Sequence, residues 1–394
     1  MNTSASLPRD FGFGDDEALL RDTARKLLAE ALPIDKLRRL VAADETAVYE
    51  RGERPRWDEE LWQTLVGLGW TGLAVPEELG GTGCKLVGIA ALVEEVGRAA
   101  LPSPLLATLA STYVLLSAGS DCADRYLTRI AGGTSMSIAL ANGDGSWSPS
   151  DTRLNAVRDG DSWLLDGAAH FIQDAFKVDQ LLVVARCDEK LLLCAVAVDA
   201  PGLTLVQDHI YDLTRDQATA RFAKVRVAAT EIVTHAADAA ITSAWPALLV
   251  LVAADLCGIG EWQLQTTVAY AQTRVQFDRP IGFFQAVKHP LVNGMVDLDR
   301  ARSLTYHAAC CVDAGSPQAP IAARMAKSAA SDAGAFLSDR SVQLHGGIGF
   351  TWECDVHIYF KRSLHDQALL GDGNDQRREL AELMIGPIGS SSVG

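Results

Sequence analysis

Basic residues are in short supply. Lys and Arg number 35 against 50 Asp and Glu, a formal net charge of −15. That deficit excludes non-specific binding to nucleic acid, which requires basic surface, while leaving room for a local basic site for a phosphorylated ligand. Cysteine is sparse as well. The eight stand at 84, 122, 187, 194, 257, 310, 311 and 354, and no two form a Cys-x-x-Cys pair. A zinc site or thioredoxin-like motif is therefore not expected, nor any other metal site, and the thiols read as reduced in a cytoplasmic protein. The opening MNTSASLPRDFGFGDDE has no charged stretch followed by an apolar core, so no secretory signal is read there. Apolar runs such as 246–257 fall short of the about 20 residues that span a bilayer, so no membrane insertion is expected. Internal repeats and low-complexity segments are lacking.

What is present is a chain of 394 residues, 48% hydrophobic and 22% charged. This is the composition of a globular protein, long enough for two or three domains at about 100–200 residues each. The patterning divides it into an N-terminal helical domain (1–118), a middle β-barrel-like domain (119–236), a C-terminal four-helix bundle (237–385) and an unstructured tail (386–394), a fold mainly α with a central β domain. Leu20, Ala24, Leu27 and Leu28 form one stripe of a first helix; further helices are expected at 59–68 and 86–98. Short strands are expected around 163–167, 180–186, 191–198 and 219–227. Alanine-rich helical stretches follow at 245–273, 284–314 and 319–343.

Two segments carry chemistry. In YAQTRVQFDRPIGFFQAVKH, residues 270–289, the spacing predicts a helix ending at Phe277, a proline turn, and a new helix from near Phe283. Arg274 then lies in the last helical turn, where its planar guanidinium suits a diphosphate or caps terminal carbonyls. Phe277 and Phe284 supply flat apolar surface beside it or belong to the core. In QLHGGIGFTWE, residues 343–353, a long helix runs into a glycine turn whose backbone can approach a ligand closely or simply end the helix. His345 has no second ligand at helical spacing and reads as a packed, hydrogen-bonded residue.

Together these segments resemble the signatures of the acyl-CoA dehydrogenase family, Arg-x-x-Phe-x-x-Pro-Ile…Phe-Gln and Gln-x-x-Gly-Gly-x-Gly. The stretch LGWTGLAVPEELGGTG at 68–83 is also similar, as is the order of domains. The resemblance covers nearly the whole chain. It implies FAD, an acyl-CoA substrate that is α,β-dehydrogenated, a homotetramer or an α2β2 assembly with a homologous subunit, and an electron-transfer flavoprotein or similar acceptor. Carried over, Arg274 binds the FAD diphosphate, Phe277 and Gln285 contact the adenosine end, and Gln343, Gly346 and Gly347 line the same nucleotide, all across an interface from the subunit that holds it.

The chain departs from the family where the chemistry is done. Desaturation needs a base for the α-proton, a hydride acceptor, and donors to the thioester carbonyl; a positioned base contributes about 10²–10⁴-fold. Aligned on Arg362, the usual glutamate position is Gly371; the alternative position, 26 residues before Arg274, is Leu248. Asp372, one residue on, is the remaining candidate catalytic base, or else an ordinary turn aspartate. The stretches that hold the flavin ring read LANGDGSW (140–147) and FIQDA (171–175), where Gln173 replaces a hydroxyl and keeps an amide able to donate. Three roles follow: a subunit that completes the cofactor site of a competent partner, as in some steroid side-chain dehydrogenases of the family; an active homotetramer using Asp372; or a non-catalytic binding protein of the same fold. Acyl-chain selection is expected near 91–96 and 244–252. Arg215 and Lys224 read as surface charges.

Overall fold

The protein is described here from a computed structural model covering residues 13–42 and 57–386. The first residues of the N-terminus and the tail 387–394 lie outside the described residues. The helices are α1 (Asp15–Ala31), α2 (Ile34–Val41), α3 (Glu59–Gly67), α4 (Leu86–Arg98), α5 (Leu105–Ala118), α6 (Asp121–Ala131), α7 (Ala237–Thr273), α8 (Gln285–Asp313), α9 (Ala319–His345), α10 (Val356–Ala368) and α11 (Gly373–Ile385). Helix α6 falls in the 119–236 stretch read as β. Its Ser120 N-cap accepts from the Ala123 N–H, and the strands begin only at Met136.

Internal contacts group the chain into two units: Lys26–Lys85 with Ala100–Leu248, and Met1–Arg25 with Leu86–Ala99 and Leu249–Gly394. The first holds the central sheet. Its strands are β1 (Met136–Ala139), β2 (Asn155–Asp159), β3 (Ser162–Gln173), β4 (Gln180–Cys187), β5 (Lys190–Ala197), β6 (Leu203–Gln207), β7 (Gln217–Ala228) and β8 (Ile232–Thr234). Their order is β6-β7-β3-β2-β4-β5-β8, with β1 parallel to β4. Strands β4 and β5 are buried almost throughout, so they read as continuous apolar runs. Long β3 and β7 alternate, and their inward residues Trp163, Leu165, Phe222, Val225 and Val227 join one core.

A buried ion-pair cluster lies inside this unit. Lys177 Nζ is 2.6 Å from Asp174 Oδ1 and 3.1 Å from Asp216 Oδ2, and Arg215 Nη1 is 3.5 Å from Asp174 Oδ2. Arg215 is therefore not a surface charge; it is 2% exposed. Within this cluster the carboxylates of Asp174 and Asp216 face the cations Lys177 and Arg215, the pairing under which such groups stay charged in an interior.

The other unit holds α4, the end of α7, α8, α9, α10 and α11, with α4 packed on α8. The Asp313 carboxylate at the end of α8 accepts from the N–H groups of Leu86 and Val87, at 2.7 and 3.0 Å, and so satisfies the first donors of α4. Helices α4 and α7 touch backbone to backbone. A Cβ on Gly97 would lie 2.1 Å from the Asp255 carbonyl oxygen, and one on Gly258 1.8 Å from that of Glu94. Helix α7 begins eight residues before Trp245 and carries Pro246 in its interior. As a whole it is long and apolar enough to cross a membrane, but 83% of its most apolar window is buried within the protein, the condition of a core helix.

Candidate functional site

Helix α7 ends at Thr273, four residues before the expected Phe277. The Arg274 N–H still closes a helical bond to Tyr270 O at 2.8 Å. The chain then forms a small hairpin, β9 (Val275–Gln276) against β10 (Arg279–Pro280), whose turn residues Phe277 and Asp278 have φ of 54° and 61°. Two positive φ values define the turn type that matches strand twist, usually filled by Asn and Gly. A phenylalanine there is strained, and such strain collects at functional positions. Phe277 is 83% exposed and meets Phe284 edge to face at 5.9 Å. A 3-10 turn over Ile281–Phe283 leads into α8, whose first residue is the exposed Gln285.

The glycine segment lies beside this hairpin. Tyr270 stacks on His345 with ring centroids 4.3 Å apart, and Thr267 Oγ1 is 2.9 Å from Ser341 Oγ. These contacts tie the end of α7 to the end of α9. His345 is a packed residue as expected: its Nδ1 is 2.7 Å from Ser341 O, and burial pushes its pKa down. Gly346 ends α9 at φ 65°, ψ −141°, which only glycine adopts readily. Gly347 needs no such freedom, and a Cβ on it would meet nothing within 4 Å. Its bare backbone therefore answers to nothing inside the chain. Arg274, Phe277, Gln285, Gln343, Gly346 and Gly347 are all exposed, at helix ends that these contacts bring together. The set fits the phosphate-bearing part of a dinucleotide approaching from outside: one guanidinium, carboxamides, an aromatic face and open backbone.

The positions read for a base look different. Leu248 is buried in α7. Gly371 has φ 89°, directly after Leu370 at φ 60°. Its carbonyl accepts from Lys327 Nζ at 2.9 Å, and the same ammonium donates to Gln367 O and Ser331 Oγ, each at 3.0 Å. Burial lowers the Lys327 pKa to about 8. Asp372 is the N-cap of α11: its Oδ1 accepts from the N–H groups of Asn374 and Asp375 at 2.8 and 2.9 Å, while Asp375 Oδ2 accepts from the Asp372 N–H. That reciprocal box is a helix-starting device.

A buried carboxylate passed unnoticed in the sequence. Glu94 of α4 bonds Arg302 Nε at 2.7 Å and accepts from the Tyr306 hydroxyl at 3.0 Å, while Arg302 Nη2 reaches Glu261 at 2.7 Å. Burial pushes the Glu94 carboxyl up, and Arg302 opposes the shift. Two adjacent glutamates inside an apolar helical run were the available signal. Both Glu94 oxygens are engaged, so its role is to join α4 to α8.

On the sheet, the Gln173 amide is not the expected donor to a ligand. Its Nε2 gives hydrogen bonds to Phe171 O and Gln217 Oε1, both at 3.0 Å. None of the eight cysteines forms a disulfide, and among the described residues no three His, Cys, Asp or Glu side chains gather as a metal site.

Comparison with known proteins gives a consistent result. Residues 14–134 match the family described as acyl-CoA dehydrogenase, N-terminal domain, and 250–385 match acyl-CoA dehydrogenase, C-terminal domain. The chain is 33% identical to the acyl-CoA dehydrogenase IpdE2 of Mycobacterium tuberculosis, over 93% of this chain and 96% of that protein. Among solved structures it is similar to a Tcur3481-Tcur3483 steroid ACAD variant, with TM-score 0.83 and 27% identity over 95% of this chain and 98% of the other. It is also similar to the ChsE4-ChsE5 complex of Mycobacterium tuberculosis, with TM-score 0.84 and 26% identity over 96% and 100%.

Proposed function

This chain belongs to the acyl-CoA dehydrogenase family, and from that premise we propose that it serves FAD-dependent α,β-dehydrogenation of an acyl-CoA thioester as the subunit that completes the cofactor site of a homologous, base-bearing partner. The observation that carries this reading is the 370–372 loop. Gly371 supplies no carboxylate and its left-handed backbone disfavours one, and Asp372 is engaged as a helix cap. Hetero-complexes among the similar structures support it.

FAD, when bound, supplies the hydride acceptor. This chain's part is to bind and orient. Arg274 holds the diphosphate through a charge-assisted fork. Phe277 covers the adenosine end, with Gln285 beside it. Gln343 and the open backbone at Gly346 and Gly347 line the same nucleotide. The α-proton is taken by the partner's carboxylate.

The test is a visible spectrum. The chain purified alone is expected to be colourless, and to become yellow only when co-expressed with a homologous subunit that has the glutamate. A yellow homo-oligomer that passes electrons from an acyl-CoA to an acceptor would overturn the subunit role.

A further inference from the structure

A polar seam runs between α7 and α9. Its members are Gln263, Thr267 and Tyr270 on α7 and Ser338, Ser341 and His345 on α9. Spacings of three and four put each set on one face of its helix. Ser338 Oγ lies 3.1 Å from Gln263 Oε1, Thr267 Oγ1 lies 2.9 Å from Ser341 Oγ, and the rings of Tyr270 and His345 stack at 4.3 Å. The partners rise in the same order along both helices, so α7 and α9 run parallel here and finish level with one another. One turn past Tyr270 stands Arg274, and directly past His345 stands Gly346.

Carbonyl groups fix the donors along the seam. Thr267 Oγ1 is also 2.6 Å from Gln263 O. A carbonyl only accepts, so the one Thr267 hydroxyl hydrogen goes there and Ser341 donates to Thr267. His345 Nδ1 faces Ser341 O at 2.7 Å and so carries its proton, while burial lowers the pKa of the ring and keeps it neutral at pH 7. The imidazole thus stands against Tyr270 in one tautomer and one orientation. Gln263 Nε2 is buried with no hydrogen-bond partner among the described residues. An orphaned donor costs stability. The seam therefore serves register more than stability, since a slip of one turn would part Ser338 from Gln263 and Ser341 from Thr267.

Each nucleotide-facing segment folds back onto its own helix end. The Ile281 N–H donates to Arg274 O at 2.8 Å, and a Cβ on Gly282 would lie 3.0 Å from Ala271 O. A Cβ on Gly349 would lie 2.8 Å from Val342 O and 3.3 Å from the His345 Cβ. The separation between Arg274 and Gly346 follows from how the two helix ends are held, and the Tyr270–His345 stack is the last member of the seam before them.

We propose that Tyr270 and His345 are positioning residues for the dinucleotide: their stack, in register with the contacts below it, sets the spacing at which Arg274 and the Gly346–Gly347 backbone take one nucleotide. Neither ring has to touch the ligand. A guanidinium fork gives its full strength only when held within about 0.5 Å of its place, and a clasp built from two helix ends needs a device that holds them so. The proposal rests on the cofactor reading above and adds that the two motifs work as one unit.

The test combines amide hydrogen exchange on the full chain with FAD titration of the chain co-expressed with a homologous subunit. Tyr270→Leu is expected to speed exchange across 346–350, a segment distant in sequence, and His345→Leu across 274–280. Tyr270→Phe keeps the ring and is expected to leave both segments as they are. Tyr270→Leu is expected to weaken FAD binding roughly 3–10-fold, the worth of one aromatic pair, and Tyr270→Phe to leave it unchanged. Added to Arg274→Ala, Tyr270→Leu is expected to weaken binding by less than about twofold more, because the spacing matters only while both halves remain. Exchange that speeds only beside the altered residue, or a loss of FAD that is equal with and without Arg274, would overturn the positioning role. FAD binding unmoved by Arg274→Ala would instead overturn the cofactor reading on which the proposal stands.

Discussion

Arg362 and Asp255 face each other in a two-bond ion pair, Nη2 to Oδ1 at 2.9 Å and Nε to Oδ2 at 3.1 Å, with neither side chain reaching solvent. The pair joins α10 to α7. Truncating one member leaves the other charged and buried, so Arg362→Met alone is expected to destabilise the fold by about 3–5 kcal/mol in urea unfolding. Replacing both by apolar residues of similar volume is expected to recover most of that loss. A single substitution without effect would mean that water reaches the pair.

Arg274 lies on the surface, so its loss should leave folding unchanged. Arg274→Ala is expected to keep the thermal midpoint within about 1 °C, since surface changes seldom exceed ~0.5 kcal/mol. FAD retention in the assembled protein should nevertheless fall by roughly 10–100-fold, as one charge-assisted hydrogen bond is worth about 1.5–3 kcal/mol. Flavin content measured after gel filtration checks both halves of this expectation.

For Asp372, the cap and the base readings differ in what a substitution does. Asp372→Ala is expected to cost about 1 kcal/mol of stability through loss of the N-cap. Turnover of a hetero-assembly at a temperature where it stays folded is expected to be unchanged. A loss of turnover by two orders of magnitude would restore Asp372 as the base.

Lys327 gives a pH signature. Its pKa falls from the ordinary 10.5 to about 8, chiefly because burial penalises the ammonium. Between those values the unfolded chain binds the proton and the folded chain does not, so stability attributable to this residue rises with pH from about 8 to 10.5 and is lost as pH falls through 8. Relative to Lys327→Met, the unaltered protein should gain about 3 kcal/mol over that window. Parallel pH profiles for the two proteins would show that the ammonium is not desolvated.

Much of the fold was legible because periodicity reports burial directly. Helix α4 was read to the residue, and the β4 and β5 runs were apolar enough to stand out. The errors arose where a local signal has two meanings. The helical stretch expected from 245 begins at Ala237, and α7 carries Pro246 in its interior. The hairpin at 275–280 was missed because its left-handed turn is built from Phe277 and Asp278 rather than glycine. Arg215 read as surface because its partner, Asp174, lies 41 positions away in sequence. Gln173 could be read as a donor only until its own neighbours were known. At the candidate site, the residue types were legible in the motifs; their common exposure, and the capping duty of Asp372, were not.

The touching backbones of α4 and α7 bear on how this protein can change over evolutionary time. Gly97 meets Asp255, and Gly258 meets Glu94. Those same two acids anchor Arg362 and Arg302. A methyl at either glycine would spread the helices and drag a buried carboxylate off its guanidinium, so the penalties of steric overlap and stranded charge arrive together. Substitutions among these six residues should therefore be strongly non-additive. Viable lineages would have to alter them as a block, and drift one residue at a time is closed to this crossing.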